Sequence, residues 1–136
     1  MTRYTIFLIG YGNQVPEDFL ARLEMASSEC LVLDVRARRT SWAWSYTGPQ
    51  VEFLFKKHGH DYIWLSELGN CGNGKVQLVN EPMGMMALEN LVRRSRLPVV
   101  LLCAERLSQS CHRRVVADKL AERLARAGDQ LEIRTL

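Results

Sequence analysis

Short apolar runs alternate with longer stretches of helical spacing along most of this chain. The run Thr5–Gly10 is almost wholly apolar and stops at the turn-forming Gly10-Tyr11-Gly12-Asn13, as a buried strand does. Pro16 then suits the first position of a helix whose apolar stripe, Phe19, Leu20 and Leu23, extends to about Ala26. Leu31–Val35 reads as a second strand, followed by a polar and aromatic loop from Arg36 to Pro49. The pattern continues with a short helix over Gln50–Lys57 and a third strand over Asp61–Leu65. A flexible glycine- and asparagine-rich connector is expected over Leu68–Lys75. Next come a helix over Pro82–Arg94, with Met86, Leu88, Leu91 and Val92 inward, and a fourth strand over Val99–Cys103. Ser110–Ala127 has the spacing of a long helix, with a serine N-cap, inward Val116, Leu120 and Leu124, and Gly128 as its stop. Leu131–Thr135 closes the series as a short strand.

Strands separated by helices require crossover connections, which give a largely parallel sheet covered on both faces. The expected fold is therefore α/β: one three-layer domain over residues 1–136 with a mostly parallel, Rossmann-like sheet. The length of 136 residues is enough for a real core, and 47% hydrophobic with 24% charged residues is ordinary for a globular chain. The formal charge is only +3, but arginine far outnumbers lysine, and arginine suits bidentate contacts to phosphate and carboxylate. That charge is too small and too dispersed to diagnose nucleic-acid binding. No apolar stretch reaches the length of a membrane span and the N-terminus lacks a signal-peptide layout, so a cytoplasmic protein with no membrane partner is expected. Cys30, Cys71, Cys103 and Cys111 are then free thiols before they are disulfides, and none falls in a C-x-x-C pair.

Candidate chemistry concentrates where strands end. In an open parallel sheet, ligands bind outside the carboxyl ends of the strands. Those ends carry Gly10–Asn13, then Asp34 and Arg36, then Ser66-Glu67, then Cys103 and Glu105. Asp34 and Arg36 point to one face of an extended strand, either as an ion pair that ties down the loop or as a carboxylate-held arginine that grips an anion. The Gly-Tyr-Gly turn lacks the rest of a phosphate loop, which favours a simple tight turn. Cys111, just after the Ser110 cap and beside His112, Arg113 and Arg114, has the surroundings of an activated thiol. Cys103 ends a buried strand, where cysteine commonly packs as a small apolar residue. A zinc site from Cys71, Cys103, Cys111 and His112 has irregular spacing, and no metal is expected. Trp42, Trp44 and Tyr46 read as a stacking platform for a base or, preferably, a lid packed on the core.

The segments Ile9-Gly-Tyr-Gly-Asn13, Pro16-Glu-Asp-Phe-Leu20, Leu33-Asp-Val-Arg-Ala37, Ser66-Glu-Leu-Gly-Asn70, Leu101-Leu-Cys-Ala-Glu105 and Cys111-His-Arg-Arg114 resemble, in order, the family called domain of unknown function 488. The resemblance implies a compact α/β domain with a shared site at Asn13, Asp34, Arg36, Glu67, Gly69, Cys103, Glu105, Cys111, His112 and Arg113. Where relatives carry prolines, this chain has Arg39 and Ser66, and its aromatic loop and Cys-Gly-Asn-Gly segment are its own.

Two functions follow as expectations. The first is an enzyme with Cys103, Glu105, Cys111 and His112 as catalytic groups and Asn13, Asp34, Arg36, Glu67 and Arg113 as substrate-binding groups. Its substrate would be a small anion or a nucleotide, and its cofactor is unknown. The second is a non-catalytic module that binds a nucleotide or nucleic acid through its arginines, with structural cysteines.

Overall fold

The computed structural model describes residues 1–12, 14–39, 46–72, 75–103 and 112–136. The elements within them are β1 (Arg3–Gly10), α1 (Pro16–Leu23), β2 (Leu31–Asp34), α2 (Gly48–Lys57), β3 (Asp61–Trp64), α3 (Glu81–Arg94), β4 (Val99–Cys103), α4 (His112–Arg126) and β5 (Gln130–Thr135). The strands form one all-parallel sheet in the order β3-β2-β4-β1-β5. Every residue of β2 and β4 is buried, which is why both read as continuous apolar runs. The edge strands β3 and β5 are mostly exposed or half-buried.

Helices cover both faces, giving the expected three layers. On one face, Phe19, Leu20 and Leu23 of α1 and Val51 and Phe55 of α2 pack on Ile9, Val32, Val100 and Leu102. On the other, Met85, Leu88 and Val92 of α3 and Val116, Ala117, Leu120 and Leu124 of α4 pack on Ile6, Leu8, Leu33, Leu101 and Cys103. Strand alternation accounts for this split, because successive side chains leave a strand on opposite sides. The chain leaves β2 toward β3 at one edge, whereas it leaves the neighbouring β4 toward β5 at the other. The β2–β4 boundary is therefore the switch point of the sheet, the place where open parallel sheets bind ligands at their carboxyl ends.

Several expectations are corrected in detail. α3 buries Gly84 and Met85 in place of Met86, which is 58% exposed, because positions 85, 88 and 92 form the inward stripe. α3 is capped by Asn80, whose side chain accepts from the Met83 N–H at 3.4 Å. α1 stops at Leu23, and α2 begins at Gly48, two residues before the expected start. The connector after residue 68 is pinned at its base. The Asn70 side chain accepts from the N–H groups of Gly72 (3.0 Å) and Gln77 (3.1 Å), and the Cys71 N–H reaches the Gln77 carbonyl at 2.8 Å. The Ser110 cap of α4 lies outside the described residues. No helix among the described residues is long and apolar enough to cross a membrane.

Candidate active site at the carboxyl edge

The strand ends carry the polar groups that the sequence places there, but the sheet divides them. Side-chain alternation sends Asp34 and Arg36 to the α1/α2 face and sends Val35 and Cys103 to the α3/α4 face. Two separate clusters result, and Val35 joins them.

On the α1/α2 face the Asp34–Arg36 pair is an ion pair of forked geometry. Arg36 Nε donates to Asp34 Oδ1 at 2.9 Å and Nη2 donates to Oδ2 at 2.7 Å. Arg36 Nη1 donates to the Tyr46 carbonyl at 2.6 Å and to the Tyr11 hydroxyl at 3.3 Å. Its backbone N–H closes a further bond to Asp34 Oδ1 at 3.1 Å. Both residues are buried. Burial opposes the charge on Arg36, but the hydrogen bonds and negative charge of Asp34 outweigh it and raise the guanidinium above its ordinary value. The Tyr62 hydroxyl donates to Asp34 Oδ2 at 2.5 Å. Burial and then the Asp34 charge push that phenol up, so Tyr62 stays a donor. Tyr11 and Tyr46 stack at 4.0 Å, and Arg36 lies over the Tyr11 ring. The Tyr46 hydroxyl donates to the Gln14 carbonyl at 2.8 Å, and burial pushes this phenol up to about 12.

This arrangement uses Arg36 as a clamp for the loop that follows β2. The turn before α1 is tight, as its residues suggest: Gly12 has φ of 51° and the Gln14 N–H reaches the Tyr11 carbonyl at 2.9 Å. Arg22 of α1 donates to the Gly10 carbonyl, which ties the end of β1 to the helix.

On the α3/α4 face, the fully buried Arg113 donates from Nη1 to Cys103 Sγ at 2.6 Å. His112, almost buried at the start of α4, places Nε2 2.6 Å from the Val35 carbonyl. A carbonyl only accepts, so Nε2 carries the hydrogen and Nδ1 is the atom left to gain or lose a proton. No partner holds Nδ1 among the described residues.

Glu67 lies in the short 3-10 turn Ser66–Leu68 after β3, beside Gly84 of α3. Its carboxylate has no hydrogen bond or ion pair among the described residues. Glycine is needed at two positions here. A Cβ on Gly69 would lie 2.1 Å from the Ala37 Cα, and one on Gly84 would lie 2.6 Å from a Leu68 methyl. Backbone contact at Gly69 thus presses the turn after β3 against the segment that leaves β2.

Of the nine site residues expected from sequence, Asp34, Arg36, Glu67, Cys103, His112 and Arg113 can be placed; Asn13, Glu105 and Cys111 lie outside the described residues, as do Trp42 and Trp44. Cys30, Cys71 and Cys103 are free thiols. Cys30 is buried, and that burial, reinforced by Glu24, pushes its thiol up to about 11. Cys71 is exposed on the connector and donates to the Gln77 carbonyl. Among the described residues, no three histidine, cysteine, aspartate or glutamate side chains are grouped to hold a metal ion. Sequence reading missed Tyr11 and Tyr62 and the Val35 carbonyl. The Tyr62 signal was present: it pairs with Val32, two residues before Asp34 on the same face.

A family model described as "Domain of unknown function DUF488" matches residues 74–120, the span that includes α3, β4 and the start of α4. The chain therefore resembles that family over less than half its length. No curated protein and no solved structure gives a significant match.

Proposed function

We propose that this protein is an enzyme that uses Cys103 as a thiolate nucleophile on a small anionic substrate, in the crevice where β2 and β4 part. The observation that carries this reading is the Arg113 guanidinium donating to Cys103 Sγ at 2.6 Å in a fully buried setting. A sulfur that accepts from a guanidinium is favoured as thiolate. His112 supplies the second function. With Nε2–H fixed on Val35, its Nδ1 can take and return a proton during the reaction. The first turn of α4 adds the positive end of a helix dipole, which favours an anion beside it.

In this reading Glu67, whose carboxylate is uncommitted among the described residues, faces substrate. Glu105, Cys111 and Asn13 keep the acid/base, thiol and binding roles that their sequence positions suggest. Asp34 and Arg36 belong to the scaffold, because four guanidinium N–H bonds are already made within the protein. The binding module is less well supported. Arg36 and Arg113 are directed inward, and Arg93 and Arg123 are held by Glu89 and Asp129, which leaves fewer cations to meet a phosphate backbone.

The test is the alkylation rate of each cysteine against pH with a small reagent, read by peptide mass. Cys103 is expected to react at neutral pH well before Cys30, and Arg113→Met is expected to move its reactivity to the ordinary thiol range. A Cys103 that reacts in parallel with Cys30, or identically in both proteins, would overturn the reading.

A further inference from the structure

We propose that Asp34 is a positioning residue for His112, acting through the backbone across the sheet, and that the Asp34–Arg36 pair sets which imidazole nitrogen meets the substrate. This rests on the proposed role of His112. The link is a run of three carbonyls, the outer two held by the end of β3 and the middle one by the start of α4. The Asp34 carbonyl accepts from the Leu65 N–H at 2.8 Å, the Val35 carbonyl from His112 Nε2 at 2.6 Å, and the Arg36 carbonyl from Trp64 Nε1 at 2.7 Å.

Val35 is the middle residue and leaves the ladder of β2 after one last bond, its N–H to the Leu102 carbonyl at 3.0 Å. Beyond that point the sheet no longer dictates the direction of its carbonyl. The ring closed by Asp34 does so instead. Its Oδ1 accepts both the Arg36 backbone N–H and Arg36 Nε, which fixes the peptide unit between Val35 and Arg36, the one that carries the Val35 carbonyl. Arg36 is anchored in turn by Tyr11 and Tyr46, and Asp34 by Tyr62.

The Val35 carbonyl is thereby aimed at the α3/α4 face, although every side chain that aims it lies on the α1/α2 face. It is the acceptor that keeps the hydrogen on Nε2. When its direction is lost, Nε2–H loses its partner and both ring nitrogens compete for the proton. The geometry at the imidazole thus depends on a carboxylate that never touches it, in the manner of outer groups that orient an active-site histidine.

The test is heteronuclear NMR of the ring nitrogens in the full chain, which reads tautomer and Nε2 hydrogen exchange without any substrate. The wild type is expected to show one neutral tautomer with the hydrogen on Nε2 and slow exchange of that hydrogen. Asp34→Asn, with the amide pattern of β4 and α4 retained, is expected to give a mixture of tautomers and exchange faster by about fivefold or more, the scale of one lost hydrogen bond. Tyr62→Phe, which removes a single hydroxyl, should shift the ring in the same direction by less, and it serves if Asp34→Asn fails to fold. His112 signals unchanged in the folded variants would overturn the proposal, as would a wild type with the hydrogen on Nδ1. The outcome is separable from the thiolate reading: inert Cys103 with a responsive His112 ring would leave the backbone link standing and remove only its catalytic purpose.

Discussion

A carboxylate and a guanidinium two residues apart at the end of a strand have no choice of partner when both are buried. Asp34 and Arg36 meet on the same face because extended backbone repeats every two residues, and burial makes each indispensable to the other. Removing one partner of such a pair strands the other charge. Asp34→Ala is therefore expected to cost about 3–5 kcal/mol, the range for a broken buried pair, measured by urea unfolding. A loss under about 1 kcal/mol, the scale of an exposed pair, would show that the clamp is not buried in solution. Arg113 and Cys103 make a comparable claim. A double-mutant cycle with Arg113→Met and Cys103→Ala is expected to give a coupling of about 1–3 kcal/mol; additive effects would deny the contact. Sequence spacing gave both residues of the first pair but left its use open. What decided it were the Tyr46 carbonyl and the Tyr11 hydroxyl, contributions from distant positions that no local pattern announces.

At the scale of elements, strand and helix identities were legible because each apolar run is either continuous or helically spaced. The misreadings have specific causes. Met86 is apolar yet outward, since a helix has room for one inward stripe and Met85 fills it. In the glycine- and asparagine-rich connector after Leu68, one asparagine side chain satisfies two backbone donors, a contact that turn propensity alone does not announce. The same neighbourhood makes Gly69→Ala costly: a methyl group against the Ala37 backbone is expected to destabilise by about 1–3 kcal/mol or more, checked by thermal unfolding. An unchanged midpoint would mean that the two turns are not in contact.

His60, just before β3, gives an element-level pH test. Its Nδ1 accepts from the Cys30 N–H at 3.0 Å, which only a neutral imidazole can do, and burial lowers its proton affinity below the ordinary value of 6.5, with Glu24 at 3.7 Å opposing. The native state then binds fewer protons than the unfolded chain. The His60 contribution is full above about pH 6.5 and declines as the pH falls from there toward the lower native value. Stability measured from pH 8 to 5 should fall on the acid side, and His60→Asn should flatten that slope. An equal slope in both proteins would assign it to other groups.

For the whole molecule, topology decides what sequence order cannot. The strand ends are polar in sequence, and a parallel sheet does gather them at one edge. Linear reading cannot show that the edge has two sides, which depends on the order β3-β2-β4-β1-β5 and the parity of each residue in its strand. The polar groups expected at that edge thus divide, with Asp34 and Arg36 on one face and a thiol, guanidinium and imidazole on the other. The sheet should also be unequally protected: amide exchange is expected to be slowest in β2, β4 and β1, which have neighbours on both sides, and faster in β3 and β5. Uniform protection across the five strands would contradict the edges.

The charge state of one sulfur, Cys103 Sγ, decides whether the carboxyl edge holds a nucleophile. The difference in ultraviolet thiolate absorbance between the wild type and Cys103→Ser, followed against pH, reads it directly. The pairing with Arg113 predicts a Cys103 thiolate already present at neutral pH; absorbance that grows in only near the ordinary thiol value of about 8.5 would contradict it.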